Sequence, residues 1–223
     1  HKEFAERKRC PREAELLGHI LIADKGGYMY LIDDVKGFSD AVISKYSAEK
    51  GVSGPYVLMG HSMGSFIVRL VTAKYKTPDK LIIMGTGGKN PLAAPGIAII
   101  SLVKALRGGK RLSPLVQNLA FGSYNDHFDA ASDDILPWLS SDEEIRRRYY
   151  ADEYCGFLFT VSAMRDLVRM NRDCNLGRWY KAMPTSLPVL LVSGEDDPVG
   201  NYGKGPAEVY RGLMLAGATN VEL

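Results

Sequence analysis

Apolar and polar positions follow two different rhythms along the chain, and each change of rhythm marks an element. Over residues 31–46, Leu31, Val35, Phe38, Val42 and Tyr46 recur at three- and four-residue spacings, the period of an amphipathic helix. Asp33 and Asp34 fall near its start, where carboxylates offset the positive end of the helix dipole. Breakers fill 51–55, and Tyr56-Val57-Leu58-Met59 is then a short apolar run of the kind that forms a fully buried parallel strand. Helical spacing resumes after Ser62, where Phe66, Ile67, Leu70, Val71 and Tyr75 share a face until Pro78 closes the helix. A second buried strand is predicted over 81–84, ended by Gly85, Gly87 and Gly88. Helix, strand, helix, strand is the order of a parallel α/β sheet.

From 89 to 181 the rhythm changes to helical segments and polar turns with no strand pattern, which predicts a helical cap inserted into the sheet. Strand character returns at 188–192, a helix follows over about 206–215, and 220–223 begins another strand. The chain thus divides into a first part of the core (1–88), the cap (89–181) and a second part of the core (182–223). Residues 20–23 have the composition of a strand but adjoin Asp24-Lys25-Gly26-Gly27, so strand and exposed loop stay open there. The longest apolar stretch, 97–106, is broken by Ser101 and Lys104 and is too short to cross a membrane.

Composition narrows the function classes. The chain has 223 residues, 46% hydrophobic and 24% charged, which is enough to bury a core and typical of a globular protein. A net charge of +2 gives no basic field for nucleic acid, and Arg7-Lys8-Arg9 is too short for a nucleic-acid arm. Cys10, Cys155 and Cys174 are widely spaced and odd in number, which suits a reducing, cytoplasmic compartment rather than a disulfide framework or a zinc site. Residues 1–12 are charged, lack the apolar core of a signal peptide and do not begin with methionine, so the chain reads as a fragment. No phosphate loop, dinucleotide fingerprint or metalloprotease motif is present, so no cofactor and no metal is implied.

The chemistry concentrates in Gly60-His61-Ser62-Met63-Gly64, a G-x-S-x-G with a strand directly before it and a helix directly after it. A sharp strand-to-helix turn would expose Ser62 as a nucleophile, with Gly60 and Gly64 allowing close approach of the neighbouring elements. It would also aim a helix N-terminus at the reacting carbon, so that the Met63 N–H could stabilise an oxyanion. The plainer alternative is that Ser62 caps the helix. An acid that orients the base should follow a later strand, and Gly194-Glu195-Asp196-Asp197-Pro198 occupies that place. Asp197 is the candidate, with Asp196 and Glu195 as competitors and a solvated turn as the alternative. The histidines are His1, His19, His61 and His127, and none follows Asp197, so the expected base is missing. His61 should point away from Ser62 as structural support, and His127 reads as a surface residue of the cap. Ser140 to Arg148 places acids at a helix start and bases further on, a solvated helix face.

Together with the elbow, Phe121-Gly122-Ser123-Tyr124-Asn125, Trp138-Leu139-Ser140-Ser141-Asp142, Cys155-Gly156-Phe157 and Ser193-Gly194-Glu195-Asp196-Asp197-Pro198-Val199-Gly200 resemble bacterial α/β-hydrolases of the lysophospholipase or monoacylglycerol-lipase-like, serine aminopeptidase-like family. The resemblance covers about 17–223. It implies an α/β-hydrolase fold, activity on carboxylic esters with an acyl chain, and Asp197 as the acid, third after the glycine of the turn. It also implies that the cap forms an apolar funnel over the serine, with Phe121, Trp138, Phe157 and Phe159 as lining candidates. Two departures stand out. The family's His-Gly oxyanion loop and its Asp-x-Arg-Gly-His-Gly turn are not seen, with Phe4-Ala5-Glu6 as a remnant of the helix between them, and the histidine loop expected after 220–223 is not reached.

Three functions follow for comparison. The first is a serine hydrolase of acyl or lipid esters, acting on a small-molecule substrate without a nucleic-acid partner. The second is a non-catalytic binding protein on the same fold, motivated by the missing histidine. The third is an aminopeptidase or amidase on the same scaffold, which would need an anionic group to hold a substrate ammonium.

Overall fold

The computed structural model describes residues 19–20, 27–51, 53–128, 136–152, 155–156 and 158–223. The sequence readings at Phe4-Ala5-Glu6, Arg7-Lys8-Arg9, Cys10, 21–26 and Phe157 lie outside these residues. The elements in chain order are β1 (His19–Ile20), α1 (Met29–Lys50), β2 (Val57–His61), α2 (Met63–Tyr75), β3 (Lys80–Met84), α3 (Ala93–Arg107), α4 (Pro114–Phe121), a 3-10 turn (Pro137–Leu139), α5 (Glu143–Ala151), β4 (Leu158–Phe159), α6 (Val161–Asp173), α7 (Gly177–Ala182), β5 (Val189–Val192), α8 (Lys204–Leu215) and β6 (Val221–Glu222).

The chain divides into two compact units. One comprises 28–93 and 169–223 and holds a sheet of order β2-β3-β5-β6, in which every neighbouring pair is parallel. Register aligns Gly60 with Ile83 and Ile83 with Leu191, so the buried residues of three strands share one face. Leu58, Leu81, Ile83, Val189 and Leu191 lie on that face, all buried, with α2 against β2 and β3 and α8 against β5 and β6. The opposite face departs from the expectation of strands buried on both sides. Val57, Met59, Leu190 and Val192 are 36–53% exposed, because α2 and α8 cover only one side of the pleat and successive side chains point to opposite faces.

The first helix also differs from its apolar pattern. Phe38, Val42 and Tyr46 are exposed, and the buried positions are Ile32 and Ser39. The packing partner decides this. α1 lies on α2, and Asp33 accepts from Lys74 Nζ (2.5 Å) and Tyr75 Oη (2.7 Å) across the pair. Asp33 therefore bridges two helices rather than serving the dipole. Each helix ends on a left-handed residue, Gly51 and Lys76, whose N–H closes the last turn on Ser47 O and Thr72 O.

The other unit is built on 94–168. Its core gathers Ile100, Val116, Val161 and Met164, with Phe121 and Phe159 packed against them. Phe121, Tyr124 and Trp138 form a run of ring contacts at 5.6 and 5.1 Å. Phe121 and Phe159 are thus part of this unit's own core. Leu158–Phe159 pairs in parallel with His19–Ile20, two short strands in stretches where the sequence showed, respectively, no strand pattern and an open choice. Ser113 caps α4 through the Val116 N–H, and Asp142 caps α5 through the N–H groups of Glu144 and Ile145. Among the described residues no helix is long and apolar enough to cross a membrane.

Candidate active site

Ser62 sits between the last residue of β2 and the first of α2, in a backbone conformation of φ 54° and ψ −121°. That region disfavours a residue with a Cβ, and its strain is of order 1–3 kcal/mol. The surroundings over-determine it. The Ser62 N–H donates to Met84 O (3.0 Å) on β3, and the Ser62 carbonyl accepts from both the N–H (2.9 Å) and the hydroxyl (2.6 Å) of the buried Ser65. The Ser62 side chain makes no capping hydrogen bond, so the plainer reading of this serine as a helix cap does not describe the geometry.

Close approach of strand and helix makes the turn possible. A Cβ on Gly60 would stand 2.2 Å from Gly64 O and 2.8 Å from Val68 Cγ2, whereas one on Gly64 would meet nothing within 4 Å. The two glycines of the motif are therefore not equivalent: only Gly60 is required by space. The N–H groups of Met63 and Gly64 open α2, where a helix offers donors without intrahelical acceptors.

Asp197 lies in the turn that follows β5. Its Oδ1 accepts the Val199 N–H (2.9 Å), and its carbonyl accepts the Tyr202 N–H (3.0 Å). Asn201, Tyr202 and Gly203 all have positive φ, which folds the turn back before α8 begins. Oδ2 projects toward the end of β3, 3.4 Å from the position a Cβ on Gly85 would take. The His61 ring approaches the same position to 3.3 Å, so the absence of a side chain on Gly85, at φ 57°, leaves room for both. Glu195 and Asp196 are exposed, while Asp197 is partly buried.

Ser62 and Asp197 therefore follow the carboxyl ends of β2 and β5, strands that lie two inter-strand spacings, or about 10 Å, apart with β3 between them. His127 lies in the 94–168 unit and is exposed. No cluster of metal-ligating side chains occurs among the described residues. The sequence reading missed the part played by Gly85, although three glycines within four residues of a strand end signalled a close approach.

A parallel sheet with a strained serine at a strand-to-helix turn, and a carboxylate after the second strand along, defines an α/β-hydrolase core. The family model Hydrolase_4, described as serine aminopeptidase S33, matches residues 23–219, and the chain belongs to that family. No curated protein matches the sequence. Among solved structures, the chain is similar to a highly thermostable carboxyl esterase from Bacillus coagulans, at 25% identity and a TM-score of 0.80, covering 89% of this chain and 63% of that one. A monoglyceride lipase from Saccharomyces cerevisiae shares the fold at 17% identity and a TM-score of 0.63, covering 90% and 61%. The chain thus spans about three fifths of the length of these structures.

Proposed function

We propose that the protein is a serine hydrolase that cleaves carboxylic esters bearing an acyl chain, of the lysophospholipase or monoacylglycerol-lipase type, through an acyl-Ser62 intermediate. The observation that carries this reading is the backbone of Ser62. A strained conformation held by Met84 and Ser65, with the hydroxyl left out of the helix cap, is a cost that a structural serine would not need.

In this reading Ser62 Oγ attacks the ester carbonyl, its proton passes to an imidazole base, and the Met63 N–H supports the oxyanion. Collapse expels the alcohol, which takes that proton, and water then releases the acid and restores the serine. Asp197, with Oδ1 fixed by Val199 and Oδ2 hydrogen-bonded to none of the described residues, orients the imidazole; a gap of about 10 Å between the strands suits a ring that is hydrogen-bonded at both nitrogens. In this proposal the base comes from the part of the relatives' length that this chain does not span. Neither step calls for a metal or cofactor. The spacing of the cysteines favours the cytoplasm.

The test is labelling by a fluorophosphonate probe of this chain and of its full-length product, each beside a Ser62→Ala variant. Labelling at Ser62 of the full-length form is the expected result. A folded full-length form that takes no label at Ser62 would overturn the proposal and favour a binding role.

A further inference from the structure

One fully buried cation plays no part in the proposed chemistry. Arg69, on α2, is 0% exposed, and among the described residues no carboxylate forms an ion pair with it. Its guanidinium is held by neutral groups instead. Nη1 donates to Thr86 Oγ1 (3.1 Å) and Gly87 O (3.3 Å), and Nη2 donates to Cys174 O (2.6 Å) and Asn175 Oδ1 (2.8 Å). Trp179 stacks on it at 4.3 Å and donates its indole N–H to Arg69 O (2.7 Å), while Nε finds no acceptor among the described residues. A charge buried without an anion is costly, and an apolar side chain of similar length would avoid that cost. What only a guanidinium can do here is hold several acceptors in one plane.

Two of those acceptors, Thr86 Oγ1 and Gly87 O, belong to the segment after β3, and that segment borders the acid turn. Asn175 reinforces the grip by donating to Gly87 O (3.2 Å) and Gly88 O (3.0 Å). The same backbone also lies close to the acid turn and the start of α8. A Cβ on Gly85 would stand 3.4 Å from Asp197 Oδ2, one on Gly87 3.2 Å from Val199 O, and one on Gly88 2.8 Å from Gly205 Cα. The segment 85–88 is thus hydrogen-bonded to Arg69 and Asn175 and in close contact with the turn that carries Asp197.

We propose that Arg69 is a positioning residue for Asp197: it fixes the height of the backbone at 86–88, and that backbone seats the turn 194–203 opposite Ser62. The inference rests on the reading of Ser62 and Asp197 as partners, so its test has one arm that needs activity and one that does not. Hydrogen exchange on this chain compares wild type with Arg69→Met and Arg69→Lys. Faster exchange at 86–88 and 197–203 in both variants is expected, because lysine keeps the charge but not the fork. Unchanged exchange at 197–203 overturns the inference whatever the protein catalyses.

The second arm is a double-mutant cycle on the full-length product. Arg69→Lys is expected to lower kcat by about 10- to 100-fold with KM little changed, and to cost almost nothing further in an Asp197→Asn background. An equal loss in both backgrounds would mean that Arg69 acts elsewhere, which also overturns the inference. Failure of the underlying reading looks different: turnover independent of Ser62, with the exchange result still in place.

Discussion

The Cα of Gly60 faces the carbonyl oxygen of Gly64 so closely that a Cβ between them would stand 2.2 Å from that oxygen. This contact, rather than the glycine content of the motif as such, joins the end of β2 to the start of α2. Gly60→Ala should therefore lower stability by about 3 kcal/mol, since backbone must move. In a chain of this size that is a fall of about 10 °C in Tm. Gly64→Ala, at a helical site with open space, should leave stability unchanged or raise it by up to about 1 kcal/mol. Thermal unfolding of the two variants side by side checks the asymmetry, and equal losses would refute it.

Strain at Ser62 has its own signature. Ser62→Gly and Ser62→Ala both remove the hydroxyl, but only glycine relaxes a φ of 54°. Ser62→Gly should be about 1 kcal/mol more stable than Ser62→Ala in urea unfolding. Equal stabilities would show that the turn carries no strain.

The choice of acid can be tested without reference to substrate identity. Asp197→Asn in the full-length product should reduce kcat for a short acyl ester by about 10⁴-fold, the scale seen when the orienting acid of a triad is neutralised. Glu195→Gln and Asp196→Asn, at exposed positions, should leave turnover at the wild-type level. A loss at Asp196 as large as that at Asp197 would move the role by one residue.

Alkaline stability follows from two buried groups. Burial pushes the Cys174 thiol up to about 11, against the pull of the nearby Arg69 guanidinium. Burial, then the hydrogen bond to the Asp173 carboxylate, holds the Tyr28 hydroxyl above its ordinary value. Both groups keep their protons in the folded state at a pH where the unfolded chain has lost them. The stability they contribute is complete below pH 9 for Cys174 and below pH 10 for Tyr28, and it declines as pH rises through those windows. Each group adds a slope of up to about 1.4 kcal/mol per pH unit. Cys174→Ser should flatten the fall between pH 9 and 11, as measured by urea unfolding at stepped pH; an unaltered slope would show that Cys174 ionises freely in the fold.

Much of this protein was legible in its residues, and the reason is locality. The apolar runs before Ser62 and at 81–84 and 188–192 give strands whose ends fall within a residue or two of β2, β3 and β5, because strand and helix periods are written in adjacent positions. The G-x-S-x-G likewise predicted a sharp strand-to-helix turn at Ser62, and the acidic run after a later strand predicted a turn around Asp197. Tertiary structure decided which surfaces are used. The apolar stripe of Phe38, Val42 and Tyr46 is left exposed because α1 buries Ile32 and Ser39 and meets α2 through Asp33, Lys74 and Tyr75 instead. Helices 161–182 contain no motif, yet Cys174, Asn175 and Trp179 converge on Arg69, which lies more than a hundred residues earlier in the chain. The inequality of Gly60 and Gly64, and the shared space of His61 and Asp197 above Gly85, depend on distances between elements that no local pattern encodes. Periodicity and turn chemistry are properties of neighbours in the chain; packing partners are chosen only when distant segments compete for the same volume.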